Sequence, residues 1–389
     1  MEIQEWKLKK QALQKKIGEE IKNNHIPGAV LGVYEKGREV FFDTYGMADI
    51  EVQKPMSRDT IFRLYSMSKP IAAVGAMILY EQGLLDLDVP VSKYLPEYRH
   101  MYVAGESETR IVTVRHLLNM TAGIVYPDTD VAGQAMDELF QEIHIRITEG
   151  MGYNTREVAR RIAKIPLANE PGRVWRYGLC ADVLGAVMEV ITGMKLSKFY
   201  EKEIFQPLGM VDTGFYVPKE KQQRLAQLYR QETKETGMSL VIEEGRTLGL
   251  TECLEPPAFE SAGAGLLSTV DDYYRFCMML ANKGKYKAVQ ILQSETVENF
   301  TRNQLDVTQT ESIYFEHMKG LGYGNFMRVV TGEEMAMIGR VKGEFGWDGW
   351  TGAYMHIDCS HNRAMIFLLQ VTAYSDWLLN KKIRDILGI

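Results

Sequence analysis

Residues 65–79 read Tyr65-Ser66-Met67-Ser68-Lys69-Pro70-Ile71-Ala72-Ala73-Val74-Gly75-Ala76-Met77-Ile78-Leu79, and the rest of the chain is organised around them. A serine and a lysine three residues apart share one surface of a helical turn. Pro70 says which turn. Proline is tolerated where backbone N–H groups have no intrahelical partner, so residues 66–69 are expected at the N-terminal edge of a helix that the apolar run continues. Ser66 would then lie beside a partial positive charge with a lysine amine in reach, which suits a nucleophile whose attack creates an oxyanion. The spacing alone is weak evidence. A chain with 13 serines and 24 lysines is expected to hold about one Ser-x-x-Lys by chance, and this is the one it holds.

The totals narrow the field. At 389 residues the chain is long enough for two domains, or for one domain with a large insertion. A hydrophobic content of 46% with 25% charged residues is that of a soluble globular protein. A net charge of −6 without a long basic run argues against nucleic acid and against an anionic membrane surface. The N-terminus is charged and lacks the apolar core of a signal peptide, and no stretch of 18 apolar residues exists to cross a membrane. The four cysteines, Cys180, Cys253, Cys277 and Cys359, have neither zinc-ligand nor disulfide-framework spacing. A cytoplasmic location is expected, with no metal ion and no cofactor.

In chain order, residues 5–23 carry apolar positions at Leu8, Leu13, Ile17 and Ile21, as an amphipathic helix should. Ala29–Tyr34 and Arg38–Tyr45 predict a hairpin about Glu35-Lys36-Gly37, followed by a short extended piece within 49–55. From about 70 to 215 the pattern is helical. Thr113 is the expected cap of one helix, and a second spans 181–192 and closes at Gly193. Residues 124–160 are read as a cover over the site and 218–258 as a second flap. Ser268 or Thr269 should cap a helix to Leu280. Strands are expected at 321–330, 354–358 and 363–371, with a last helix at 375–387. This order suggests an α+β fold, split so that 1–75 and 260–389 form one domain and 76–259 an inserted helical one.

Other chemistries find no foothold. The chain has no Gly-x-Ser-x-Gly elbow, no His-Glu-x-x-His, no phosphate-binding loop and no dinucleotide fingerprint. Gly322-x-Gly324 reads as a strand bend. His116 and His356 lie in apolar contexts and are read as satisfied core or surface groups. Without an obvious Ser–His pair, serine chemistry through lysine or tyrosine remains.

At this point the sequence resembles a family. Tyr65-Ser66-Met67-Ser68-Lys69-Pro70, Val114-Arg115-His116-Leu117-Leu118 with Thr121-Ala122-Gly123-Ile124, the Tyr177 segment, Phe205-x-Pro207-Leu208-Gly209-Met210 and Ser261-Ala262-Gly263-Ala264-Gly265-Leu266-Leu267-Ser268-Thr269-x-Asp271-Asp272 occur in order. Together they resemble the serine β-lactamase and penicillin-binding-protein superfamily, in its class C and family VIII carboxylesterase branch. The resemblance implies a β-lactamase-like fold: an antiparallel sheet flanked by N- and C-terminal helices, with a mostly helical insertion.

The resemblance also implies roles. Ser66 would be the acylated nucleophile and Lys69 its proton partner, which a lysine can be only if desolvation or nearby positive charge lowers its proton affinity. Tyr177 would take the serine proton and return it to the leaving group, and whether it or Lys69 is the formal base stays open. The backbone N–H groups of Ser66 and Trp350 would form the oxyanion hole. Trp347, Asp348, Gly349, Leu179 and Tyr126 are the expected substrate contacts. Two departures bear on substrate. Leu179 replaces the asparagine with which lactamases hold an amide, and Trp347-Asp348-Gly349 replaces Lys-Thr-Gly, losing a cation that faces a substrate carboxylate. Asp348 should add repulsion. The expected function is a serine carboxylesterase acting on small neutral esters, with no nucleic-acid or membrane partner and the oligomeric state left open. The alternatives are a β-lactamase, a D-amino-acid amidase or peptidase, an acyl-transferring transesterase, and a non-catalytic binding protein.

Overall fold

A computed structural model describes residues 2–234, 237–243, 247–332, 341–372, 374 and 377–389. Helix α1 (Glu2–Lys22) leads into β1 (Gly28–Glu35), β2 (Arg38–Asp49) and β3 (Lys54–Pro55). The chain returns to the same sheet much later with β4 (Gly322–Gly324), β5 (Met327–Val329), β6 (Phe345–Asp348), β7 (Tyr354–Asp358) and β8 (Arg363–Leu368). The eight strands pair antiparallel in the order β4-β5-β6-β7-β8-β1-β2-β3. The two ends of the chain therefore meet at the middle of the sheet, where Val30 lies opposite Leu368 and Val33 opposite Met365.

Beyond β3 run α2 (Lys69–Glu81), α3 (Cys180–Thr192), α4 (Val270–Ala281) and the final α5 (Trp377–Leu387). Both faces of the central strands are covered, so those strands read as continuous apolar runs rather than as alternations. Ala29, Leu31, Val33, Met365 and Phe367 pack with Leu13 and Ile17 of α1 and with Leu379, Ile383 and Leu387 of α5. Val30, Ala364, Ile366 and Leu368 turn the other way, into the core that contains Val270, Phe276 and Cys277 of α4. The period of two along each strand thus sorts side chains between two helical layers. The fold is α+β, as expected.

The caps follow their residue types. The Thr113 hydroxyl accepts from the His116 N–H at 3.2 Å, and Thr269, rather than Ser268, accepts from the Asp272 N–H at 3.1 Å. His116 is half-buried and its Nδ1 accepts from the Thr113 N–H at 3.3 Å, so it is a satisfied structural group. Gly193 closes α3 in the left-handed conformation, φ 69°.

Several local expectations need correction. The run 321–330 is a hairpin, not one strand, because Asn325 and Phe326 both hold positive φ (52° and 63°) and turn the chain within two residues. Gly322–Gly324 is its first strand rather than a bend. Residues 131–148 and 155–162 are helices capped by the Asp130 and Asn154 side chains, so only the start of 124–160 approaches the site. Within 218–258, Tyr229–Lys234 pairs antiparallel with Gly237–Ile242 and parallel with Val371–Thr372, and Leu248 of the same segment lines the cavity described below. Ser375, the expected start of the last helix, lies outside the described residues.

Candidate active site

Ser66 sits in a single 3-10 turn, Tyr65–Ser68, that feeds directly into α2 with Pro70 in its first turn. The turn is pinned from below. The Tyr273 hydroxyl donates to the Met67 carbonyl at 2.7 Å, and the Leu266 N–H donates to Ser68 Oγ at 3.0 Å. Ser68, the second serine of the motif, is therefore a buried structural group. Tyr65 holds φ 45°. That left-handed backbone costs a bulky residue about 1–2 kcal/mol, and burial with edge-on packing against Trp350 (5.5 Å, 87°) holds it there.

Lys69 opens α2 and is completely buried. Its Nζ donates to Ser66 Oγ at 3.1 Å, to the Tyr126 hydroxyl at 3.1 Å and to the Gly263 carbonyl at 2.9 Å. Three acceptors match the three N–H groups of an ammonium. Burial works against the charge, but the oxygens of Tyr126 and Tyr177 and the carboxylate of Asp182 outweigh it and raise the lysine above its ordinary range. The sequence argument for a lysine base required the opposite shift. Burial pushes the Tyr126 phenol up, with Lys69 opposing, so Tyr126 is a neutral hydrogen-bond partner here.

Tyr177 precedes α3, and its ring lies 4.8 Å under the Lys69 ammonium. Its hydroxyl accepts from the Trp347 indole N–H at 3.1 Å, which fixes the phenol's rotation. Trp347 and Asp348 end β6. The next residue has to be glycine, since a Cβ at Gly349 would lie 2.6 Å from the Leu64 carbonyl, directly before the Ser66 turn. That close approach brings Trp350 beside Ser66. The Met67 N–H closes on the Leu64 carbonyl, which leaves the Ser66 N–H ahead of the turn's ladder. Around Trp350 the bonds are Gly349 N–H to Ala353 and Gly352 N–H to Gly349, and neither uses the Trp350 N–H.

These groups surround a cavity of about 740 Å³ whose walls include Ser66, Tyr126, Tyr177, Trp347, Asp348, Gly349 and Trp350. Leu179 is not on that wall: it is 3% exposed and packs into the core as the residue preceding α3. The sequence reading missed Tyr65, Leu248, Phe315, His317, Tyr374 and Asn380, which also line the cavity. Tyr65 opens the serine motif and Leu248 lies in the 218–258 segment read as a flap, whereas no motif covers Phe315, His317, Tyr374 and Asn380.

Asp348 needs a second correction. Its Oδ2 accepts from the buried Arg328 guanidinium at 2.8 Å and lies 3.8 Å from His317 Nε2. The carboxylate is neutralised within the wall, so it does not repel an anion as expected. Burial lowers the proton affinity of His317, with Asp348 opposing, which keeps the imidazole neutral. Among the described lining residues none is a lysine or arginine.

A serine-bearing turn against the end of β6, with lysine and tyrosine beneath one cavity, is an arrangement found in serine hydrolases. The beta-lactamase family model matches residues 13–384, and the chain belongs to that family. Esterase EstB from Burkholderia gladioli is 32% identical over 365 residues, 91% of this chain and 88% of the relative. The solved structure of EstCE1, titled a hydrolase with promiscuous acyltransferase activity, superposes with a TM-score of 0.83 at 27% identity over 98% of both chains. A family VIII carboxylesterase shares the fold at a TM-score of 0.71 and 20% identity, over 97% of this chain and 96% of that one. The chain is a serine hydrolase with the β-lactamase-like fold. Among the described residues, no helix is long and apolar enough to cross a membrane.

Proposed function

We propose that the protein is a carboxylesterase that cleaves small neutral esters through an acyl-enzyme on Ser66. The observation that carries this reading is the Ser66–Lys69 hydrogen bond of 3.1 Å at a cavity walled by Tyr126, Tyr177, Trp347 and Phe315. The resemblance to EstB, an esterase by name, supports it. A wall rich in aromatic rings, with Asp348 paired to Arg328, offers apolar contact and, among its described residues, no lysine or arginine for a substrate carboxylate.

The hydrogen bonds around Lys69 support one division of roles. The reacting form of the Lys69–Tyr177 pair holds one proton fewer than ammonium plus phenol. With all three Lys69 N–H groups engaged as donors, the base is read as the Tyr177 oxygen. That oxygen takes the Ser66 proton as Oγ bonds to the ester carbonyl carbon, then gives it to the departing alkoxide. Water repeats the sequence on the acyl-enzyme and releases the acid. The Ser66 and Trp350 N–H groups would stabilise the oxyanion, worth about 100-fold or more each. Tyr126 acts through Lys69, and Trp347 orients Tyr177 while presenting its ring to the substrate. The sheet with its terminal helices is read as one domain and the 76–259 segment as an inserted one. The four unpaired thiols support a reducing, cytoplasmic setting.

Steady-state assay of p-nitrophenyl esters of increasing chain length beside nitrocefin tests this. Faster turnover of the short esters is expected, and faster turnover of the β-lactam would overturn the ester preference. Transfer of the acyl group to an added alcohol is a second reading, favoured by the apolar wall and by the likeness to EstCE1. A shift of product from acid to new ester as alcohol is titrated in would support it.

A further inference from the structure

Lys69 has no carboxylate in contact, yet a buried one lies behind it. Asp182, on the first turn of α3, is 1% exposed. Its Oδ1 accepts from the Ser261 hydroxyl at 2.6 Å and from the Gly263 N–H at 3.2 Å. Burial pushes the Asp182 carboxyl up, opposed by the Ser261 hydroxyl, the Lys69 charge and the Gly263 N–H, and the 2.6 Å contact has the length of a charge-assisted bond to a carboxylate. Ser261 Oγ in turn accepts from the Ala264 N–H at 3.0 Å. That N–H belongs to the same peptide group as the Gly263 carbonyl, which accepts from Lys69 Nζ at 2.9 Å.

The bonds therefore run head to tail, from ammonium to peptide 263–264, to the Ser261 hydroxyl, to the Asp182 carboxylate. Each member polarises the next in one sense, which strengthens the whole chain in a dry interior. Position 263 must be glycine for the contact to close, because a Cβ there would lie 2.7 Å from Asp182 Oδ2. We infer that Asp182 and Ser261 are positioning residues for the reaction: through peptide 263–264 they supply the counter-charge of Lys69 and set how readily the Lys69–Tyr177 pair gives up a proton. This rests on the proposed role of that pair.

The surrounding groups leave Asp182 as the electrostatic control. Tyr98, Tyr126, Tyr177, Tyr200 and Cys180 face Asp182 or Lys69. Burial drives the Tyr98, Tyr126 and Tyr200 phenols up and the Cys180 thiol up to about 12, so these four stay neutral through the working range. The sign follows. A nearby negative charge opposes loss of a proton from the pair. Removing it should make the pair reach its reacting form at lower pH.

The experiment is the pH profile of kcat/KM for Asp182→Asn and Ser261→Ala on a short p-nitrophenyl ester, which reports free-enzyme titrations. Asp182→Asn should move the acidic limb down by about half a unit or more. Ser261→Ala keeps the charge but breaks the chain, so it should move the limb the same way by less, and it serves if Asp182→Asn does not fold. The double variant should move it no further than Asp182→Asn alone, as members of one network do. An acidic limb unmoved in both variants, with only kcat or Tm lowered, would overturn the inference. Failure of the wild-type protein to be labelled at Ser66 by a fluorophosphonate would instead sink the esterase reading beneath it.

Discussion

Two buried cations are handled in opposite ways. Arg384 on α5, 2% exposed, meets Glu344 in a fork at 2.7 Å on both nitrogens and also donates to the Tyr354 hydroxyl at 3.2 Å. Lys69, equally buried, donates to two hydroxyls and a carbonyl and keeps its carboxylate one peptide and one hydroxyl away. A direct fork is rigid and satisfied, and it can only hold elements together. A cation balanced at a distance keeps one N–H on Ser66 and can redistribute its bonds as charge appears on that oxygen. On the proposed mechanism, the difference separates a structural charge from one that serves the chemistry.

Breaking the two sites should give different kinds of damage. The largest effect is expected at the proposed nucleophile: Ser66→Ala or Lys69→Met should cost about 1,000-fold or more in kcat/KM with thermal stability little changed. Glu344→Ala should do the reverse. Leaving Arg384 buried without its partner should lower the unfolding free energy by about 3–5 kcal/mol in a denaturant titration, while the folded fraction keeps its kcat. A loss of kcat in folded Glu344→Ala would erase the distinction between the two cations.

Smaller changes sharpen it. Trp347→Phe removes the N–H on the Tyr177 oxygen and keeps an aromatic wall, so kcat should fall about tenfold with KM nearly constant. Phe315→Ala should instead raise KM for bulky acyl groups several-fold and spare kcat on short ones, since the ring packs edge-on against Tyr177 at 5.5 Å and forms cavity wall. The smallest effect is expected at the partly exposed Glu35–Arg363 pair across β1 and β8: Glu35→Ala should shift stability by under about 1 kcal/mol.

What could be read from the sequence follows the same division. Ser66 and Lys69 share a turn, so their meeting was visible as a spacing of three. Tyr177 and the Trp347–Trp350 segment came through resemblance, because only the folded sheet brings residues more than 100 positions apart together. Leu179 was misassigned for a physical reason. In sequence it occupies the motif, but as the residue preceding α3 it packs its side chain into the core. Asp348 was given the wrong electrostatic sense because its partner Arg328 lies on the neighbouring strand, where register decides contact. The central strands were legible because both faces are buried, whereas the turn at Asn325–Phe326 depends on two left-handed residues that only Asn325 advertises. Asp182 lies in a helix of mostly apolar residues, and its partners Ser261 and Gly263 are about 80 positions away, so no local pattern marks it.

The most direct measurement is intact-protein mass spectrometry during turnover of a p-nitrophenyl ester, with the modified peptide then sequenced. A single acyl adduct should form on Ser66, decay at the rate of acid release, and be missing from Ser66→Ala. Turnover with no adduct, or an adduct on another residue, would contradict an acyl-enzyme at Ser66.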